Sequence, residues 1–256
     1  MDLGLGGKIA LVAASSSGLG LAVAKNLAAE GAHVSLCARD ADRLARAHAA
    51  VDGVGSGKVV STPVDLRDER AAARWVDRTA EELGGLHIVV TNSGGVPHGP
   101  VDAFTVPDYR AAMDTSMIPH VAVTLAALPH LSTAGWGRIL MITSEAVRQP
   151  LPASGLSAVA RLGLLGFAKG LVHTLGSRGV TVNVLAPGFH RTPALDEQFG
   201  ADVDEAVAEV ARRLPLGRVG RATDFGALAA FLASEQASFV TGCVLLADGG
   251  ATRGLG

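Results

Sequence analysis

Seven short apolar runs, alternating with longer amphipathic stretches, constrain this chain more than any other feature. They cover Lys8–Ala13, His33–Ala38, Lys58–Val64, Leu86–Thr91, Arg138–Thr143, Val180–Leu185 and Cys243–Ala247. Strands that are apolar throughout, rather than alternately, are covered on both faces and belong to parallel sheets. Helices are expected over Leu19–Glu30, Asp40 to Val51, Asp68–Leu83, Pro107 to Leu131, Ser154–Leu175 and Thr223–Ala233. Gly31 and Gly84-Gly85 mark two of their ends. Pro119 and Pro129 should bend or shorten the region from Pro107, since each removes a helix hydrogen bond. Thr192 to Arg213 reads as a polar helical insertion. Right-handed crossovers make the whole a doubly wound α/β sheet with helices on both faces. A (β/α)₈ barrel would need eight units. With no repeat, linker or low-complexity tract, residues 1–256 are expected to form a single domain. In such a sheet the ligand crevice lies outside the carboxyl ends of the strands, where the strand order reverses.

Composition narrows the function. Hydrophobic residues make up 48% and charged residues 18%, enough apolar surface to exclude a disordered chain. A net charge of −2 gives no electrostatic case for nucleic acid or an anionic membrane. Ile9 to Ala24 is uncharged, but it is too short for a membrane span and is broken by Ser15-Ser16-Ser17-Gly18. Cys37 and Cys243 form no disulfide framework and lack metal-site spacing, so a reducing cytoplasm is the expected compartment and no metal is expected. The 32 glycines, against a usual ~7%, imply tight turns, close packing or backbone brought against a ligand.

The first strand runs into Ala13-Ala14-Ser15-Ser16-Ser17-Gly18-Leu19-Gly20 and opens directly into a helix. Free amides and the positive end of a helix dipole meet there and suit a pyrophosphate. A Gly/Ser-rich turn that binds nothing is the bland alternative. At the second strand end, Arg39 follows Ala38 where an NAD enzyme would hold the ribose 2′-hydroxyl with an acid. A guanidinium there pairs with a 2′-phosphate, which favours NADP(H) over NAD(H). A solvated helix-start arginine is the competing reading.

With these pieces in order, the chain resembles the short-chain dehydrogenase/reductase family essentially end to end. Residues 13–20 resemble its T-G-x-x-x-G-x-G loop, with Ala14 in place of the first glycine. Asp65-Leu66 resembles the step that contacts adenine, and Thr91-Asn92-Ser93-Gly94-Gly95 the N-N-A-G motif. Asn183 with Ala186-Pro187-Gly188-Phe189-His190-Arg191-Thr192 resembles the N-x-x-x-P-G-x-x-x-T segment that borders nicotinamide. Pro215-Leu216-Gly217-Arg218, Phe231-Leu232-Ala233-Ser234, Thr241-Gly242 and Asp248-Gly249-Gly250 resemble the acyl-carrier-protein reductase branch. The resemblance implies a seven-stranded Rossmann-type sheet, bound NADP(H), a small-molecule substrate and a homo-oligomer, usually a tetramer. It also implies hydride transfer between nicotinamide and a carbonyl or alcohol, with Ser, Tyr, Lys and a relay Asn handling the proton.

Three of those four positions differ here. Ser144 stands at the family's serine, but Ser157 replaces the Tyr, Arg161 the Lys and Ser116 the relay Asn. The run Arg161-Leu162-Gly163-Leu164-Leu165-Gly166-Phe167-Ala168-Lys169 fixes the register, and the single tyrosine, Tyr109, lies far upstream. An aliphatic hydroxyl is a far weaker acid than a phenol. Arg161, at i+4 on the same helix face, keeps a positive charge for ribose but carries no exchangeable role as a base. The pair reads as a cofactor clamp with the acid removed.

Three functions follow. The first is an NADP(H)-dependent oxidoreductase with a non-standard or substrate-assisted proton donor. The second is a catalytically silent NADP-binding regulatory or oligomer protein. The third is a non-redox lyase or isomerase reusing the cleft. His98, Glu145 and His190 fall near the expected mouth; for each, a solvated loop residue is the simpler account. Phe199, Val203, Val207 and Val210 give the insertion an apolar face, read either as core packing or as a pocket wall.

Overall fold

The computed structural model describes residues 1–254. Its strands are β1 (Ile9–Val12), β2 (His33–Ala38), β3 (Val59–Pro63), β4 (Ile88–Thr91), β5 (Gly137–Ile142), β6 (Val180–Pro187), β7 (His190–Arg191), β8 (Gly220–Arg221) and β9 (Val244–Ala247). Its helices are α1 (Gly18–Ala29), α2 (Ala41–Asp52), α3 (Glu69–Leu83), α4 (Val106–Ser116), α5 (Ile118–Ala134), α6 (Gly155–Leu175), α7 (Pro193–Phe199), α8 (Val203–Arg213) and α9 (Ala222–Leu232). Seven strands form one parallel sheet in the order β3-β2-β1-β4-β5-β6-β9. The chain reverses its winding at β1, where Ala10 pairs with Val34 of β2 on one side and Ile88 of β4 on the other. The crevice between the ends of β1 and β4 is therefore the expected binding edge.

Each strand is apolar throughout because alternate residues feed two cores. Val12, Val34, Leu36, Val90, Leu140 and Leu185 pack with Val23 and Leu27 of α1 and Phe225 of α9. Leu11, Val89, Ile139, Met141 and Val182 pack on the other face with Trp75, Val123 and Leu171 of α3, α5 and α6. Ser35, a polar residue inside β2, is satisfied there: the Trp75 indole N–H donates to its Oγ at 3.0 Å, and Thr79 Oγ1 lies 2.8 Å away. A buried hydroxyl without such partners would cost free energy.

Three expectations are corrected. The region from Pro107 to Leu131 is two helices, broken at Met117, where the backbone leaves regular geometry (φ −119°, ψ −57°). Pro119 has no N–H for the carbonyl of Thr115, so the first helix ends ahead of it. Pro129, by contrast, lies inside α5 without ending it. The second correction is the two-residue ribbon β7–β8, which clamps the insertion at its base through the His190–Gly220 and Arg191–Arg221 pairs. Third, the insertion is two helices, and none of α8 is fully buried; Val203, Val207 and Val210 are half-buried, so it is not a core element.

Candidate active site

The phosphate loop is held between two strands. Ala13 N–H donates to the Val90 carbonyl at 2.9 Å and Ser15 N–H to the Cys37 carbonyl at 3.0 Å. Leu21 N–H is bonded to Ser17 O, so the amides of Gly18, Leu19 and Gly20 ahead of it have no acceptor in their own helix. Ser17 does not cap them with its side chain, and the first turn of α1 carries no acid. An uncapped helix start of this kind suits an anion. Gly20 is essential to the shape: a Cβ there would lie 2.6 Å from the Ala14 carbonyl oxygen. Asn92 Nδ2 donates to that same oxygen at 3.3 Å, tying the end of β4 to the loop. Ala14 itself sits at φ +47°, the left-handed region that favours glycine. Ser16 and Ser17 are half-buried beside it, whereas the Leu19 side chain packs on the core and leaves only its backbone to a ligand. Thr192, at the start of α7, faces Gly18 from above the loop.

Three of the four candidate positions, Ser116, Ser157 and Arg161, are wired to one carbonyl or to each other. Arg161 Nη1 donates to Ser157 Oγ at 2.5 Å, and Nη2 donates to the Gly94 carbonyl at 3.4 Å. Ser116 Oγ donates to the same Gly94 carbonyl at 3.0 Å. Ser93, half-buried, turns its hydroxyl to that carbonyl at 3.5 Å. Burial holds the Arg161 pKa below its usual value, yet the guanidinium stays charged. Its Nε is buried with no partner among the described residues. Ser144, at the end of β5, accepts from Ala146 N–H at 3.2 Å, which leaves its own O–H free to donate toward the cleft.

At the far end of the crevice, Arg39 is exposed just past β2. Two acids near it are bonded elsewhere. Asp40 caps α2 by accepting from Arg43 N–H at 2.8 Å. Asp65 takes Arg67 Nε at 3.0 and 3.1 Å and Nη2 at 2.6 Å. That pair, with help from Arg39, holds its carboxyl down at about 2. Leu66 is buried under α3, with an edge at the surface. Pro187 and Gly188 close the crevice at the end of β6.

The comparisons with known proteins agree with this geometry. A family model described as enoyl-(acyl carrier protein) reductase matches residues 13–252. The chain is a short-chain dehydrogenase/reductase. It is 34% identical to cis-4-hydroxycyclohexanecarboxylate dehydrogenase of Sinomonas cyclohexanicum, covering 96% of each chain. It is 32% identical to gluconate 5-dehydrogenase of Gluconobacter oxydans, covering 98% of this chain and 97% of that one. The crystal structure of L-sorbose reductase from Gluconobacter frateurii, complexed with NADPH and L-sorbose, superposes with a TM-score of 0.93 at 27% identity, covering all of both chains. The chain is thus a nucleotide-cofactor-binding oxidoreductase acting on CH–OH or C=O groups.

Some residues of this dehydrogenase/reductase fall outside the sequence-based site. Asn183 is fully buried, where its Nδ2 donates to the Val240 carbonyl at 2.8 Å and its Oδ1 accepts from Cys243 N–H at 3.1 Å. It splices β6 to the approach of β9 and does not border the crevice. His98 is exposed, and His190 leans on the Gly188 carbonyl through Nδ1 at 3.0 Å. A cavity of about 430 Å³ lies beside it, lined in part by Phe189, His190, Leu216, Phe225 and Asp248.

His120 was not singled out from sequence, although a histidine four residues after Ser116 on an apolar helix is a local signal. It is fully buried, with Nδ1 2.7 Å from Thr91 Oγ1, and so buttresses the end of β4. Burial and then the Arg161 charge push its pKa down to about 3. The unfolded chain takes up a proton near 6.5 and the folded one does not, so stability is full above 6.5 and falls as pH drops toward 3. His120→Gln cannot take up that proton. It is expected to flatten the acid limb in a pH series of urea midpoints, and a limb as steep as the native one would refute this assignment.

Proposed function

We propose that the protein is an NADP(H)-dependent oxidoreductase that interconverts a small ketone and secondary alcohol with a proton donor other than tyrosine. The observation that carries the cofactor choice is Arg39, exposed at the end of β2 with the neighbouring acids Asp40 and Asp65 already bonded to other groups. Neither Asp40 nor Asp65 is left free for a ribose 2′-hydroxyl, while a guanidinium is available for a 2′-phosphate. The NADPH bound to the L-sorbose reductase relative supports the same reading. So does the loop: uncapped amides at α1, the close approach at Gly20 and the orphaned Nε of Arg161 fit a dinucleotide along this crevice.

When bound, the cofactor supplies or accepts hydride at its nicotinamide. The chain's own residues do the rest. The loop from Ala14 to Gly20 holds pyrophosphate on backbone amides. Asn92, Ser93 and Gly94 form the wall opposite, and Arg161 holds ribose hydroxyls while its other arm fixes Gly94. Ser144 donates its free O–H to the substrate oxygen and orients the carbonyl. Pro187, Gly188 and Thr192 bound the nicotinamide end. Ser157, shorter than a phenol and bonded to Arg161, does not reach that oxygen.

The relatives act, by their names, on a hydroxycyclohexanecarboxylate, gluconate and L-sorbose, so polar six- and seven-carbon ketones and alcohols head the panel of substrates. Apolar residues left exposed on α5 and α6 (Leu125, Val159, Leu162) and near β9 (Phe239, Leu246) suit the subunit contacts of a homodimer or homotetramer. The two free cysteines suit a reducing, cytoplasmic compartment.

Fluorescence titration with NADPH and NADH tests the reading directly: saturable binding of NADPH is expected, and binding of neither would overturn it. Arg39→Asp should then shift the preference from NADPH toward NADH by roughly ten- to a hundredfold, since hydrogen bonds to charged groups are worth about 1.5–3 kcal/mol. An unchanged ratio would refute the role of Arg39.

A further inference from the structure

One carboxyl stands at the strand ends directly after Ser144 in the chain. Glu145 opens the short turn Glu145–Val147 directly after Ser144, at the end of β5. Its side chain lies against Gly188. A Cβ built on that glycine would stand 2.9 Å from Glu145 Oε2, 2.7 Å from Asp248 Cβ and 2.8 Å from Asp248 Cα. Three strand ends thus converge on one point: β5 brings Glu145, β6 brings Gly188 and β9 brings Asp248. Glu145 is half-buried, and while its backbone carbonyl accepts from Arg148 and Gln149 N–H, its carboxyl accepts no hydrogen bond among the described residues.

Building on the proposed function, we propose that Glu145 is the general acid of this enzyme, giving its carboxyl proton to the carbonyl oxygen that Ser144 orients. The reductant is a reduced nicotinamide dinucleotide. As the carbonyl carbon receives hydride, its π pair moves onto oxygen, the Glu145 O–H bond breaks and the proton forms the new alcohol O–H. Glu145 is left as a carboxylate and is reprotonated from solvent; in the oxidising direction it accepts the same proton.

The surroundings keep this carboxyl protonated. Burial and then the charge of Asp248 push its pKa up to about 7. Asp248 goes the other way: burial raises it, but N–H donors from Thr252 and Gly250 outweigh that and hold it ionised. Two carboxyls driven apart in this manner divide into an acid and a fixed charge. The other elements packed here bring no competing partner. Arg161 on α6 is turned to Ser157 and Gly94, and Arg148 in the same turn is exposed. His190 of β7 is bonded to the Gly188 carbonyl, and Arg253 contributes a backbone N–H to Gln149.

Glu145→Gln tests the proposal on the full-length protein with two readouts. The first needs no turnover. A carboxyl whose folded pKa is raised from 4.5 to about 7 stabilises the fold fully below 4.5 and loses that contribution as pH rises through 7. The always-neutral glutamine should therefore match the native urea midpoint at pH 4 and exceed it progressively up to pH 8. The second readout is kinetic. With NADPH binding unchanged, kcat for ketone reduction should fall about 10²-fold or more at pH 6. The decline of native kcat/KM above pH 7 should be absent from the variant. Retained NADPH binding with equal rates and identical pH profiles for both proteins overturns Glu145 as the donor and leaves the oxidoreductase reading standing. Absence of cofactor binding, or binding without reduction of any ketone, overturns that reading and this proposal with it; the stability series still separates the two failures, because it reports Glu145 ionisation alone.

Discussion

Ser157→Tyr combined with Arg161→Lys is expected to raise ketone reduction about 10²-fold or more at pH 9, and to change it little at pH 6. General acid catalysis is typically worth 10²–10⁴-fold. At pH 6 the native protein has its acid in Glu145, whose carboxyl titrates near 7. Above that, the protonated fraction falls tenfold per pH unit, so two units leave about one part in a hundred. A free phenol titrates near 10, and although a neighbouring ammonium lowers that, its protonated fraction at pH 9 should still exceed one part in a hundred. Position 157 is half-exposed and faces Arg161 at 2.5 Å, so the new phenol has space and its lysine lies one turn away on the same face. The phenol reaches roughly 4–5 Å farther than the serine hydroxyl, by bond lengths. One contact is lost: lysine has a single arm and cannot hold both Ser157 and the Gly94 carbonyl as Arg161 does. NADPH affinity is therefore measured alongside. A gain of equal size at pH 6 and pH 9 would mean the native protein has no acid at all. The absence of any gain would mean that substrate is not presented to position 157.

Much of this was legible in the residues because the constraints were local. Uniformly apolar strands demanded a two-faced parallel sheet, and β1 through β6 follow that expectation closely. The start of α1 was legible from the Gly/Ser run, and Gly84 ends α3 in the left-handed conformation expected of it. The candidate positions Ser116, Ser144, Ser157 and Arg161 were placed by the family resemblance and its spacing. What spacing does not carry is convergence. That Arg161, Ser116 and Ser93 all turn to the Gly94 carbonyl depends on how α6 and α4 meet the end of β4. The Glu145–Asp248 approach is between residues 103 apart in the chain, joined only by the order β5-β6-β9. The ribbon β7–β8 is too short to show any period. The Asp65–Arg67 pair is a local contact, two residues apart, that the sequence offered directly. Asn183 shows the reverse, a motif residue whose place in the segment was legible but whose work is internal splicing.

Gly20→Ala is expected to weaken NADPH binding about 10²-fold or more and to lower the melting temperature. The clash is with backbone. The added methyl would stand 2.6 Å from the Ala14 carbonyl oxygen and 3.1 Å from Asn92 Nδ2. A flexible side chain yields to such contact at little cost, but the Ala14 carbonyl is not free to move. Its residue already sits at φ +47°, where a non-glycine residue carries a cost of roughly 1–2 kcal/mol. Its neighbours Ala13 and Ser15 are bonded to β4 and β2, and Asn92 holds the oxygen itself. Relief then comes from displacing the first turn of α1, and that turn carries the amides on which a pyrophosphate would rest. Ala14→Gly separates strain from collision. It removes the left-handed cost, gives back about 0.5–1 kcal/mol through chain entropy, and adds no atom near Gly20. Its stability should therefore stay within about 1 kcal/mol of the native protein, with NADPH binding retained or tighter. Equal NADPH affinity for Gly20→Ala and the native protein would show that the cofactor does not lie on this loop, because no arrangement keeps both the methyl and the Ala14 carbonyl in place.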